Sequence, residues 1–249
     1  MTQRLVPAFA ALLLVAVTGL AACAEETPAG PPTAATAVIC RPTFSVDGQP
    51  LEAGTAFLLS TPTGPALVTA QHLFGPAGGL DTDIAWSQMP ARVSGAACRT
   101  LSGDAIWTAG KPYAIEGAAP SAPTGPVRDM AAFAIDLNGQ AAPAPLTPAK
   151  GRPARGDKVW LVAQVVAGAP RTTLLHSAVV EGFEGDALVY VFDNPALELR
   201  ATSGAPVVNA KGELVAINLG GGQQDGKLLG FGVGGPAVAA GLATIKPAR

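Results

Sequence analysis

Residues 201–217 read ATSGAPVVNAKGELVAI. A serine, Ser203, stands in a turn of small residues that runs directly into an apolar strand, Ala205–Val208. A Lys211-Gly212 turn then leads to a second strand, Leu214–Asn218. Outward from this stretch the same pattern recurs. Apolar runs suited to strands are Thr43–Val46, Gly54–Ser60, Ala66–Thr69, Ala91–Ala97, Ala105–Thr108, Met130–Asp136, Lys158–Val165, Leu174–Glu181, Ala187–Phe192 and Leu229–Val233. Turn signals such as Thr63-Gly64, Asn138-Gly139 and Glu184-Gly185 separate them. So many short strands predict an all-β sandwich or barrel. A helix is expected only near the C-terminus, from Pro236 to about Ala243, with proline at its start. Around Gly139–Gly156 the pattern breaks into a proline-rich segment. The break divides the body into two β-rich halves, about 38–140 and 156–235, sized for two small barrels packed together.

Two further segments complement the serine. In Leu67-Val68-Thr69-Ala70-Gln71-His72 a histidine follows an apolar strand end, where its ring can face a cleft. In Asp129-Met130-Ala131-Ala132-Phe133-Ala134-Ile135 an acid stands at the mouth of an apolar strand. A serine hydroxyl becomes a good nucleophile when a base removes its proton, and imidazole suits that task near neutral pH. A carboxylate fixes the imidazole tautomer and stabilises the imidazolium that forms. The tight turn around Ser203 leaves backbone N–H groups free to hold an oxyanion. Asp104 is a rival acid; Asp129 is preferred because an apolar strand follows it directly.

Together, LVTAQHLF (67–74), DMAAFAI (129–135) and TSGAPVVNAKGELVAI (202–217) resemble the trypsin-like serine peptidases of the chymotrypsin fold, in their compact bacterial style. The order His, Asp, Ser matches, and the resemblance spans roughly Val38 to Ala243. It implies two packed six-stranded β-barrels with a cleft between them and a short C-terminal helix. His72 would be the general base, Asp129 the orienting acid and Ser203 the nucleophile, with the N–H groups of Ala201 and Ser203 forming the oxyanion hole. Asn218, Leu219 and Gly220 would lie on the strand that pairs with substrate backbone. The chain departs from the family at Ala201, where glycine is usual, at Thr202, where an acid or amide is common, and at Ala205, where glycine is usual. A Cβ at position 201 disfavours the peptide orientation that points its N–H into the hole. The implied reaction is acyl transfer from a peptide bond to Ser203 and then to water, with a peptide or protein as substrate and no cofactor. Two rivals follow from Ala201: a catalytically weak or inactive protease-like lipoprotein that binds peptides or an envelope partner, and a latent enzyme activated by a partner or substrate. The pocket base would fall near Leu197–Arg200; Leu197 there suits apolar side chains and Glu198 basic ones.

Composition narrows the alternatives. The 249 residues carry 16 basic against 18 acidic side chains and no basic run, which excludes nucleic acid as an expected partner. With 8 Phe, 3 Trp and 2 Tyr, the core must be mostly aliphatic. The Gly230–Gly235 stretch satisfies GxGxxG, yet only 14 residues follow it, too few for the strand and acid of a dinucleotide site. Gly221–Leu228 nearly spells a phosphate loop, but Leu228 replaces the magnesium-binding hydroxyl. His72 and His176 are the two histidines and neither lies in a ligand-spaced cluster, so no metal is expected. His176 reads as a strand-surface residue.

The N-terminus reads as an address. Arg4 precedes an apolar run, Leu5–Leu20, shorter than the about 20 continuous apolar residues of a membrane span. Leu20-Ala21-Ala22-Cys23 resembles a bacterial lipobox, which implies a signal peptide over residues 1–22 and lipidation of Cys23; ordinary cleavage after Ala24 is the alternative. Residues 23–37, poor in hydrophobic period and rich in Pro, read as a flexible tether before a peptidase domain over 38–249. The expected location is the cell envelope, with the protein lipid-anchored and facing the periplasm or exterior. Removal of Cys23 leaves Cys40 and Cys98, an even pair for an oxidising compartment, with two buried thiols as the alternative.

Overall fold

Short apolar strands cannot leave their N–H and C=O groups unpaired once buried, and a closed ring of strands pairs all of them without exposing an edge. The chain solves this twice. The computed structural model describes residues 30–101, 103, 105–120, 128–136 and 142–245. The leader, Cys23 and the rival acid Asp104 lie outside the described residues.

The first ring uses β1 (Ile39–Val46), β3 (Ala56–Thr61), β4 (Gly64–Thr69), β5 (Val93–Thr100), β6 (Ile106–Pro112) and β7 (Ala131–Asp136). Its order is β1-β3-β4-β7-β6-β5, closed by antiparallel pairing of β1 with β5. A short strand that the sequence reading does not identify, β2 (Gln49–Glu52), hairpins onto β1. Phe44, Phe74 and Phe133 meet in the interior, with ring centroids 4.7–5.9 Å apart.

The second ring uses β8 (Lys158–Val162), β9 (Leu175–Glu184), β10 (Ala187–Phe192), β11 (Pro206–Val208), β12 (Leu214–Gln224) and β13 (Lys227–Gly234). It closes in the order β8-β9-β10-β13-β12-β11, the same succession as the first ring. The near-continuous apolar run of β8 now has a reason. Val159 and Leu161 point into this barrel's own core, while Trp160 and Val162 join the core shared with the first barrel. A strand buried on both faces has no polar alternation.

The expected break between halves is an extended strap. Leu146 exchanges backbone hydrogen bonds with Leu58 and Ser60 of the first barrel (3.0 and 2.8 Å), and three residues later Ala149 donates to Leu214 of the second (2.8 Å). Pro143, Pro145 and Pro148 have no N–H to offer, so pairing is confined to such single bridges. The expected tether ends sooner than Ala37: Thr33–Val38 forms a 3-10 turn, with Ala35 and Val38 buried. Besides the expected C-terminal helix, one helical turn, α1 (Met89–Arg92), leads into β5; at the other end α2 (Gly235–Leu242), with Pro236 in its first turn, places Val238 and Leu242 in the shared core. Among the described residues no helix is long and apolar enough to cross a membrane.

Cys40 and Cys98 form a disulfide, with Cα atoms 5.5 Å apart. It spans β1 and β5, the pair of strands that closes the first ring.

Candidate active site

β4 ends at Thr69, and a 3-10 turn over Gln71–Phe74 lifts His72 off the barrel end. Asp129 stands two residues ahead of β7, the neighbour of β4 in the sheet, so the two side chains emerge at one rim. They meet at two points. The His72 backbone N–H donates to Asp129 Oδ1 (2.9 Å), and His72 Nδ1 lies 2.8 Å from Asp129 Oδ2. A carboxylate only accepts, so Nδ1 carries the proton and Nε2 is left as the basic nitrogen. Asp129 is 1% exposed, whereas His72 is part-exposed toward the cleft.

Ser203 comes from the second barrel and sits against the same rim. Its carbonyl accepts from the Thr55 N–H (2.9 Å). Gly204, in left-handed conformation at φ +83°, packs so closely that a Cβ would stand 2.2 Å from Thr69 Oγ1 and 3.0 Å from the Ala70 nitrogen. Only glycine fits there, and its closeness holds the serine turn beside the His72 segment. The Ser203 hydroxyl donates to the Leu219 carbonyl (3.0 Å); among the described residues it makes no hydrogen bond to His72. That carbonyl is free because the pairing of β12 with β13 slips between Asn218 and Gly220, leaving Leu219 in a bulge without a partner.

Ala201 adopts a left-handed φ of +63°. For a residue with a Cβ this costs about 1–3 kcal/mol and persists only where the surroundings over-determine it. They do so from two sides. Above the turn, the Ala201 carbonyl accepts from Arg41 (2.6 Å) and from Thr55 Oγ1 (3.0 Å). Below it, Tyr190 OH donates to Asn218 Oδ1 (2.6 Å), and Asn218 Nδ2 donates to the Thr202 carbonyl and lies 3.0 Å from Thr202 Oγ1. The Thr202 N–H and hydroxyl both return to the Leu199 carbonyl, closing the turn. Burial pushes the Tyr190 phenol up from its ordinary range, so it stays a neutral donor. Among the described residues the N–H groups of Ala201 and Ser203 have no acceptor, as an anion site requires.

The sequence reading thus finds His72, Asp129, Ser203 and Ala201 at one cleft. Asn218 is a correction. It is 0% exposed, and its N–H and C=O are committed to Ala205 and Gly204, so it braces the turn and does not face a substrate. Of the other two, Leu219 is buried with its carbonyl at the serine hydroxyl, and Gly220 is half-buried at the same bulge. His176 is also corrected: it is 4% exposed, with Nε2 3.0 Å from the Ala163 carbonyl, and burial lowers its pKa despite that bond. Arg41 and Thr55 were not legible as site residues, because a strand's alternation says nothing about a partner 160 positions away. Among the described residues no cluster of three metal-ligating side chains occurs.

Residues 54–217 match the family model for the trypsin-like peptidase domain. No curated protein matches the sequence. The fold is similar to that of the active form of the Rv3671c protease from M. tuberculosis, with a TM-score of 0.55 and 17% identity, covering 87% of this chain and 84% of that one. It is similar too to the thermostable serine protease AL20 from an extremophilic microorganism (TM-score 0.56, 15% identity, 84% and 97% covered). Protease Anisep from Arthrobacter nicotinovorans gives a TM-score of 0.53 at 17% identity, with 84% and 96% covered.

Proposed function

The chain belongs to the trypsin-like peptidase family, and from that premise we propose that it is an exported serine endopeptidase working through Ser203, His72 and Asp129. The observation that carries the reading is the two-point grip of buried Asp129 on His72, which presents Nε2 as a base beside a serine turn with two unpaired N–H groups.

In the resting state the Ser203 proton points to Leu219 O, a cleft-lining carbonyl. An extended peptide laid along Leu219–Gly220 offers that carbonyl an N–H of its own. The displaced hydroxyl then turns to His72 Nε2. Oγ attacks the scissile carbonyl carbon while its proton passes to Nε2, and the oxyanion takes hydrogen bonds from the Ala201 and Ser203 N–H groups. The imidazolium, stabilised by Asp129, gives its proton to the leaving amine. Water then repeats the sequence on the acyl-enzyme. The charged leader and lipobox-like Leu20–Cys23 support export with a lipid anchor at Cys23.

The test is fluorophosphonate labelling of the purified protein beside Ser203→Ala and His72→Ala. We expect labelling of the wild type that both substitutions abolish. A second reading, a protease-like lipoprotein that binds peptides without cleaving them, draws on the hydroxyl's bond to Leu219. It is favoured if the folded wild type does not label.

A further inference from the structure

We propose that Arg41 is a positioning residue that holds Ala201 in the left-handed conformation the oxyanion site needs, supplying through hydrogen bonds what a glycine would supply through freedom. The proposal rests on Ser203 being the nucleophile, and it adds a residue from the other barrel to the machinery.

The guanidinium of Arg41 rises from β1 of the first barrel and spends its donors on the junction with the second. One nitrogen reaches Gly54 O (3.0 Å), Thr55 Oγ1 (3.1 Å) and Ala201 O (2.6 Å); the other reaches Gln164 O (2.8 Å). Among the described residues it has no carboxylate partner. Burial, reinforced by the nearby Arg171 charge, lowers its pKa from the ordinary arginine range. A cation placed this way is costly without an acid, so its four oxygen contacts must be well made. The shortest of the four goes to the carbonyl of the one site residue whose backbone is strained.

That carbonyl belongs to the Ala201–Thr202 peptide. Pinned by Arg41 and by Thr55 Oγ1, it fixes the direction of the following amides, including the Ser203 N–H. With that peptide fixed, Ala201 cannot leave the left-handed region by any movement that carries its carbonyl along, and the route that spares both bonds is a flip of the preceding Arg200–Ala201 peptide. The Gln164 contact stops the guanidinium from swinging away, since that carbonyl lies on the segment just after β8.

A double-mutant cycle tests this on protein purified from a host expressing the full chain: Arg41→Met, Ala201→Gly and the two combined, read as the fluorophosphonate reaction rate. Methionine keeps an aliphatic stem and removes every donor. We expect Arg41→Met to slow labelling by ~10- to 100-fold, approaching the loss of one oxyanion donor, with peptide kcat falling and KM held. In the Ala201→Gly background the same substitution should slow it less than about threefold, because glycine has no left-handed penalty to hold down. An equal loss in both backgrounds, or no loss in either, overturns the proposal. Should Arg41→Met not fold, Arg41→Lys runs in the same cycle, since one ammonium cannot span Ala201 O and Gln164 O together. If no variant labels at all, the peptidase reading has failed, and hydrogen exchange at the Thr202 amide decides the clamp alone. Faster exchange in the Arg41 variant, with β12 amides unchanged, sustains it, and unchanged exchange overturns it.

Discussion

Asp129 grips His72 with both oxygens, one on the backbone N–H and one on Nδ1. An amide cannot do both as an acceptor. In Asp129→Asn, if the amide oxygen keeps the backbone N–H, its NH2 faces Nδ1 and drives the imidazole proton to Nε2, where the serine proton should go. Labelling and kcat should fall by about 10⁴-fold while the unfolding midpoint barely moves. A loss of under tenfold would mean that Asp129 is not the orienting acid. At this scale the sequence was informative about residues whose chemistry is rare. Serine in a small-residue turn, histidine past a strand end and an acid at a strand mouth each carry a type-specific signature. Asn218 was misread, because a buried polar residue on a strand looks the same in sequence whether its backbone is free or committed.

Strands were legible wherever one or both faces are buried, and twelve of the anticipated runs have a strand at their place. β2 escaped because three of its four residues are exposed and one is proline. β12 runs on past Asn218 through Gly220–Gln224, whose glycines are poor strand formers that β13 nonetheless pairs. The β1–β5 seam carries a disulfide between residues 58 positions apart. Closing a loop of that length restricts the unfolded chain by about 4 kcal/mol in the chain-entropy account. Replacing Cys40 and Cys98 together by alanine should therefore lower the free energy of unfolding by about 2–4 kcal/mol, measured by urea denaturation under non-reducing conditions. A loss below about 0.5 kcal/mol would show that the seam's hydrogen bonds alone define its closure in both states.

Across the whole molecule, the C-terminal helix that follows the second barrel crosses to the first. Leu242 of α2 is buried in the shared core, and Gly241 packs so tightly on Met130, the residue after Asp129, that an added Cβ would stand 1.8 Å from its terminal carbon. Leu242→Ala should cost about 2–5 kcal/mol by the cavity it leaves, seen as a lower urea midpoint. Because the adjoining Gly241 packs on Met130, next to Asp129, labelling should slow in the still-folded variant as well; an unchanged rate would uncouple helix from site. The halves and the break between them were legible from composition. How the strap binds each barrel was not, because single backbone bridges leave no side-chain pattern. The two rings also share one strand succession, β1-β3-β4-β7-β6-β5 and β8-β9-β10-β13-β12-β11. In the proposed peptidase the labour is divided: one copy of the plan bears base and acid, the other bears the nucleophile, and neither owns a reaction. Reactivity is then a property of the joint. A change that respects each copy's interior but tilts one rim against its neighbour would silence the protein while leaving it soluble and cooperative in unfolding. Misfolding and loss of function are, for this architecture, separable faults.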